Sequence, residues 1–203
     1  MNTIQIVIEF LGTFAFAISG IRWAANKDFD WFGGYVVGLA TAIGGGTIRD
    51  VMLGVTPFWM TNALYLICTA AALLTVIAFK KAIVRFTNTW FLFDTLGLGL
   101  FTVAGMQKTL YEGFPFWVAI IMGCITGAAG GVIRDVLINE VPLIFRKEIY
   151  AMACIAGGVA YYLGLWSGLS VEITAIISFA VVVIVRLMAV KFHISLPHLH
   201  DEG

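Results

Sequence analysis

The chain has 203 residues, of which 61% are hydrophobic and only 12% charged. That balance is far too apolar for a soluble domain, and little length is left for one beside the membrane. The formal net charge is zero, so there is no basic footprint for nucleic acid, and no nucleophile elbow, Walker loop or metalloprotease motif points to an enzyme.

Hydropathy draws seven spans: Ile4–Ile21, Trp31–Leu53, Met60–Phe79, Trp90–Met106, Phe114–Ile138, Ile149–Trp166 and Ile173–Val190. Each approaches the ~18 apolar residues that cross a hydrocarbon core as a helix. The first lacks a basic n-region and a small-residue cleavage site, and reads as a retained span. All six tryptophans (Trp23, Trp31, Trp59, Trp90, Trp117 and Trp166) fall near span ends, where an indole buries its ring and keeps its N–H wet. Arg22, Lys27, Lys80, Lys81, Arg85, Arg134, Arg146, Lys147, Arg186 and Lys191 fall on one side of this arrangement. Only Arg49 and Lys108 do not, so the positive-inside rule expects an outer N-terminus and a cytoplasmic C-terminus.

Cys68, Cys124 and Cys154 are scattered singly, without metal-ligand spacing, and read as small packing residues. His193, His198 and His200 lie in a C-terminal tail that reads as solvated rather than metal-binding.

The second span holds Gly44-Gly45-Gly46-Thr47-Ile48-Arg49-Asp50-Val51. Glycine weakens a helix by roughly 1 kcal/mol relative to alanine, and a charge at bilayer depth costs about 3 kcal/mol. The costly stretch returns in the fifth span as Gly130-Gly131-Val132-Ile133-Arg134-Asp135-Val136. An offset of 85 residues aligns the two without a gap. It also matches Leu11, Gly12, Phe16 and Gly20 with Leu96, Gly97, Phe101 and Gly105, Pro57 with Pro142, Tyr65 with Tyr150 and Glu9 with Asp94. The chain therefore divides into repeat 1 (about 1–84), repeat 2 (about 88–167) and a seventh helix (about 172–191), in a single membrane domain over 1–203. Three spans per repeat force the second copy to insert upside down.

Glycine within a span either lets a neighbouring helix approach or frees the backbone to break. The symmetric doubling favours breaks in helices 2 and 5, with freed groups facing protein or a water-filled path. Arg49 and Asp50, and Arg134 and Asp135, follow about one turn later. Neighbours on a helix point about 100° apart, so each Arg need not pair with its own Asp. Two-fold symmetry offers it the Asp of the other repeat; snorkelling into headgroups is the alternative. Glu9 and Asp94 both read as lying near the outer interface, either as a cation vestibule or as local caps. Hydroxyls at Thr13, Ser19, Thr41, Thr47, Thr95, Thr102 and Thr126 either back-bond to their own helix or line the path.

The seven spans, the 3+3+1 repeat and the doubled glycine–Arg–Asp stretch resemble the trimeric intracellular cation (TRIC) channel family in its prokaryotic branch, over nearly the whole chain. The resemblance implies an all-α membrane protein with helices 2 and 5 broken at glycines, assembled as a homotrimer with one pore per protomer in the cell inner membrane. It implies a potassium-permeable monovalent cation channel without a cofactor, with K+ or Na+ as the permeant ion and lipid as a bound partner. The implied pore and gating residues are Gly44, Gly45, Gly46, Thr47, Arg49, Asp50, Gly130, Gly131, Arg134 and Asp135. Eukaryotic members carry Lys-Glu-Val where Arg49-Asp50-Val51 and Arg134-Asp135-Val136 stand here; charge sign is kept, but Arg is a planar bidentate donor and Lys a point charge. The competing reading from the same inverted architecture is a secondary transporter of a small solute such as an amino acid.

Overall fold

The computed structural model describes residues 3–79, 89–146, 149–192 and 194. The loop carrying Lys80, Lys81 and Arg85, Lys147 and the tail histidines lie outside them. Among the described residues the chain forms nine helices: α1 (Thr3–Ala25), α2 (Trp31–Met52), α3 (Phe58–Thr61), α4 (Leu64–Ala78), α5 (Thr89–Tyr111), α6 (Phe116–Leu137), α7 (Leu143–Arg146), α8 (Tyr150–Trp166) and α9 (Val171–Lys191).

Five of these, α1, α2, α5, α6 and α9, are long and apolar enough to cross a membrane. The third and sixth expected spans are shorter, at 15 residues in α4 and 17 in α8. Pro57 starts the single turn α3, and the extended Asn62 ends it. The apolar run from Met60 is thus divided before the longer helix begins.

The expected breaks are not present. Helical structure runs without interruption through Gly44–Gly46 in α2 and Gly130–Gly131 in α6. Glycine keeps its backbone N–H and C=O, so a glycine used for packing costs the helix no hydrogen bond, and a bilayer penalises any that is lost.

The turns repeat at the same 85-residue interval. The chain turns after α2 at Gly54 (φ +71°) and after α6 at Asn139 (φ +57°). Val55 N–H reaches back to the Asp50 carbonyl (2.9 Å) and Glu140 N–H to the Asp135 carbonyl (2.8 Å), the same left-handed helix stop. Asp28 (φ +58°) and Gly113 (φ +85°) likewise turn the chain after α1 and α5. Asp30 Oδ1 caps α2 by accepting from Gly33 N–H (2.7 Å), and the Ser170 hydroxyl caps α9 by accepting from Ile173 N–H (3.3 Å).

Contacts between α1 and α5 are reciprocal. Gly12 abuts the Phe101 ring and Gly97 abuts the Phe16 ring, while Ser19 Oγ donates to the Trp90 carbonyl (3.1 Å). Rising numbers on one helix meet falling numbers on the other, so these equivalent helices run antiparallel and the halves are inverted. Phe16 and Phe101, equivalent by sequence, stack on each other with centroids 5.4 Å apart. The pseudo-two-fold axis passes between them, at the centre of a core that includes Ile18, Ala42, Leu98 and Ala128. α9 stands outside the repeat and packs on α8, where Gly157 admits Val182 and its carbonyl accepts from the Ser178 hydroxyl (2.8 Å).

Candidate functional site

The two glycine stretches meet where α2 crosses α6. A Cβ on Gly45 would overlap the Thr126 carbonyl oxygen, and one on Gly130 would overlap the Thr41 carbonyl oxygen. This exchange (45 with 126, 41 with 130) is again antiparallel and two-fold. The remaining glycines admit side chains: Gly44 takes Ile133, Gly46 the Phe58 ring and Gly131 the Tyr150 hydroxyl. Thr41 and Thr126 donate their hydroxyls to the carbonyls four residues back, of Val37 (2.6 Å) and Met122 (2.5 Å). Thr47 also back-bonds, to Ile43 (2.7 Å), and accepts from the Trp59 indole (3.0 Å).

Two charge clusters flank this crossing. In the first, Arg49 Nε donates to Asp50 Oδ1 (2.7 Å) and Arg49 Nη2 lies 3.0 Å from Glu9 Oε1. Asp50 Oδ2 accepts from Phe58 N–H (2.8 Å), which anchors α3, and Glu9 Oε2 accepts from the Tyr65 hydroxyl (3.0 Å). Lys108, from the other repeat, places Nζ 2.9 Å from Asp50 Oδ1.

The second cluster repeats most of this. Arg134 Nε donates to Asp135 Oδ1 (2.9 Å), and Arg134 Nη1 bonds Asp94 Oδ1. Asp135 Oδ2 accepts from Leu143 N–H (2.9 Å), which anchors α7, and Asp94 accepts a longer bond from the Tyr150 hydroxyl (3.4 Å). Here the contribution from the other repeat is neutral: Arg134 Nη1 donates to Ser19 Oγ (2.9 Å). Arg186 of α9 approaches from outside the repeats, with its guanidinium 4.8 Å from the Tyr150 ring centre and 5.1 Å from that of Phe91.

Glu9, Arg49, Asp50, Asp94 and Arg134 are all fully buried. Both arginines are therefore packed inside the protein, and snorkelling is excluded. Each arginine bonds its own neighbouring aspartate rather than the one in the other repeat, because the long Arg side chain curls back until Nε reaches the adjacent carboxylate. The depth reading for the acids is corrected too. Glu9 lies near the start of α1 beside the end of α2, whereas Asp94 lies near the start of the antiparallel α5 beside the end of α6. The clusters thus sit at opposite ends of the bundle. Neither acid faces an open vestibule; each is closed in by an arginine and a tyrosine.

A buried ion pair recovers its desolvation cost only with close geometry and satisfied partners. Each cluster meets the first condition through an arginine shared by two carboxylates, a tyrosine hydroxyl and a backbone N–H, but not wholly the second: Glu9 Oε1, Arg49 Nη1 and Nη2, Asp94 Oδ2 and Arg134 Nη2 are buried without a hydrogen-bond partner. Lys108, Arg186, Tyr65 and Tyr150 were not singled out as site residues from sequence. The tyrosines carried a usable signal, since they match at the 85-residue offset and pair with acids that do the same. Among the described residues no group of three His, Cys, Asp or Glu side chains is placed to hold a metal ion.

The comparisons agree with this geometry. The sequence model of the family described as Glycine transporter matches the chain twice, over residues 6–81 and 91–166. A membrane protein of Vibrio cholerae designated UPF0126 is 40% identical over 94% of this chain and 81% of its own length. The inner membrane protein YadS of Escherichia coli is 37% identical over 94% and 93%. The crystal structure of a TRIC trimeric intracellular cation channel orthologue from Rhodobacter sphaeroides superposes with a TM-score of 0.89 at 31% identity, covering 95% of this chain and all of that one. The inverted halves, the shared crossing and these matches carry one conclusion: the chain is a membrane protein of the prokaryotic TRIC channel family, whose sequence model bears the description Glycine transporter.

Proposed function

We propose that the chain is a potassium-permeable monovalent cation channel of a prokaryotic inner membrane, assembled as a homotrimer with a separate path through each protomer. The observation that carries this reading is the pair of enclosed charge clusters at opposite ends of one α2–α6 crossing. The likeness to the Rhodobacter sphaeroides channel over its whole length supports it. α4 and α8 complete seven crossings, with the N-terminus outside and the C-terminus in the cytoplasm. The path runs between the repeats along α2 and α6, past Gly44–Gly46, Thr47 and Gly130–Gly131. Arg49–Asp50 and Arg134–Asp135 close it, and Glu9 and Asp94 supply the negative charge that favours cations once the arginines turn aside. The described arrangement is then the closed state, since both arginines are fully buried and ion-paired within the protein. Lipid contacts lie on the outward apolar faces, such as Leu11, Ile67 and Ile176.

The test is reconstitution of the purified trimer into planar bilayers under a KCl gradient. Unitary currents reversing near the potassium equilibrium potential are expected. The second reading, an amino-acid carrier, has only the description of the matched family model behind it, against the full-length likeness to a cation channel. Saturable glycine counterflow in proteoliposomes without unitary events would replace the channel reading with it.

A further inference from the structure

Four helix termini meet at one end of the bundle: α1 begins there at Thr3, α5 ends at Tyr111, α8 ends at Trp166 and α9 begins at Val171. Tyr111 and Trp166 are exposed, as aromatic side chains at the headgroup level of a membrane are. Between these termini lies a hollow of about 410 Å³ whose polar lining is Gln5, Gln107, Tyr111, Tyr161 and Glu172. Gln5 is 5% exposed, and its Nε2 donor is buried without a hydrogen-bond partner. Gln107 hydrogen-bonds the Tyr161 hydroxyl, yet its Oε1 acceptor is buried without a partner as well. One hollow is thus lined by a vacant donor and a vacant acceptor, and buried groups of this kind are costly unless something satisfies them.

The hollow adjoins an apolar groove of about 290 Å³ between α1, α5 and α9, with Ile4 and Glu172 common to both. Ile8, Leu100, Val103, Ile176 and Phe179 line the groove. From Gln107 back to Leu100 it follows α5 for about 10 Å at 1.5 Å per residue, from the headgroup level into the hydrocarbon zone. Glu172 is the one charged residue among those lining the two, and among the described residues no ion pair involves it.

The internal repeat supplies a contrast. A hollow at the other end of the bundle is lined by Arg22, Asn26 and Val76, each 85 positions before Gln107, Tyr111 and Tyr161. There the floor holds a guanidinium, which can only donate, beside the carboxylates of Asp28 and Asp30. Here an amide oxygen takes its place and the basic charge is gone. A ligand of this hollow must donate to Gln107 Oε1, accept from Gln5 Nε2, carry positive charge toward Glu172 and own an apolar chain for the groove.

We propose that this hollow and groove bind an aminophospholipid, with the primary ammonium of its headgroup between Glu172 and Gln107 Oε1, a phosphodiester oxygen on Gln5 Nε2 and an acyl chain along Leu100 and Phe179. A primary ammonium offers three N–H donors, whereas a trimethylated one offers none. A headgroup of net negative charge meets Glu172 without any basic residue to offset it. The site therefore selects phosphatidylethanolamine over phosphatidylcholine and phosphatidylglycerol, and it does so whether the chain is a channel or a carrier.

The test measures Tm of the full-length protein in detergent against added dioleoyl lipids of the three headgroups. Phosphatidylethanolamine is expected to raise Tm in a saturable way, since it binds the folded state, and the other two to raise it less. Equal rises for all three overturn the headgroup selection. Glu172→Gln, at an exposed position, is expected to weaken the apparent affinity for phosphatidylethanolamine about tenfold, as loss of one charge-assisted hydrogen bond does. Glu112→Gln, exposed at the same end but outside both hollow and groove, keeps the native response. Equal losses in these two variants reduce the effect to general surface charge and overturn the site. Gln5→Met is expected to hold or raise the lipid-free Tm, because a stranded donor is removed, and yet to weaken the response to phosphatidylethanolamine. An unchanged response overturns the placement of the headgroup. Glycerophosphoethanolamine, which has the same headgroup and no chains, is expected to leave Tm unchanged at the same concentrations. A rise equal to that given by the lipid makes the ligand a soluble amine and overturns the lipid as occupant.

Discussion

Gly45 lies against the carbonyl oxygen of Thr126 with no room for a methyl group between them. The oxygen belongs to the backbone of α6, so it cannot swing away as a flexible side chain would. Gly45→Ala must push the two inverted halves apart at their crossing. Overpacking of this kind costs about 1–3 kcal/mol. Gly34, earlier on the same helix, has its nearest atom 4.0 Å from an added Cβ. There the gain in helix propensity acts without a clash, and Gly34→Ala is expected to be neutral or to stabilise by up to about 1 kcal/mol. Thermal unfolding in detergent separates the two: Tm falls for Gly45→Ala and holds or rises for Gly34→Ala.

The two tyrosines allow a comparison within one molecule. The Tyr65 hydroxyl donates to Glu9 at 3.0 Å, and the Tyr150 hydroxyl reaches Asp94 at 3.4 Å. Hydrogen bonds to charged groups contribute roughly 1.5–3 kcal/mol and weaken with distance. Tyr65→Phe is expected to lower the unfolding midpoint more than Tyr150→Phe. An equal or reversed order would show that the repeats differ less at these acids than their geometry indicates.

The halves are also tied at the surface, where Lys27 Nζ lies 2.7 Å from Glu140 Oε1 with side chains 40% and 22% exposed. Solvent screens such a pair. A double-mutant cycle with Lys27→Ala and Glu140→Ala is expected to give a coupling below about 1 kcal/mol. That coupling should vanish in about 1 M salt, where the screening length falls to roughly 3 Å. The enclosed Arg49–Glu9 pair, measured the same way, should keep its coupling in that salt.

The repeat was legible because Gly45, Arg49, Asp50 and Pro57 each return 85 positions later, and backbone geometry returns with them, down to the positive φ at Gly54 and Asn139. The partners of Arg49 were not legible. Adjacent Cβ directions diverge on a helix, but an arginine has enough reach to fold back on its neighbour. The glycines misled for a related reason. Their cost in an isolated helix says nothing of the opposing carbonyl at Thr126, which turns the absence of a side chain into a contact. Lys108 was invisible because its acid lies in the other repeat and its own counterpart is Trp23, so neither local spacing nor the offset points to it. The shortness of α4 was hidden by Met60, whose apolar run continues through the turn at Asn62.

The charge balance of the first cluster gives the last expectation. Glu9→Gln alone leaves Arg49 and Lys108 facing Asp50, a net charge of +1 in an enclosed site; Arg49→Met alone leaves Glu9 and Asp50 facing Lys108, a net charge of −1. Breaking one side of a buried pair typically costs about 3–5 kcal/mol, because the other charge is left without compensation. The double variant Glu9→Gln/Arg49→Met restores neutrality, with Asp50 still held by Lys108 and by Phe58 N–H. Its Tm is therefore expected to lie well above that of either single variant, with non-additivity of more than about 1 kcal/mol. Permeation separates from stability in the same variant. On the proposed channel reading, a fold that survives without the Arg49 guanidinium and the Glu9 carboxylate should conduct with a changed open probability. If the double variant is as unstable as the sum of its parts, Arg49 and Glu9 contribute through separate contacts, and their pairing is not what holds this end of the bundle together.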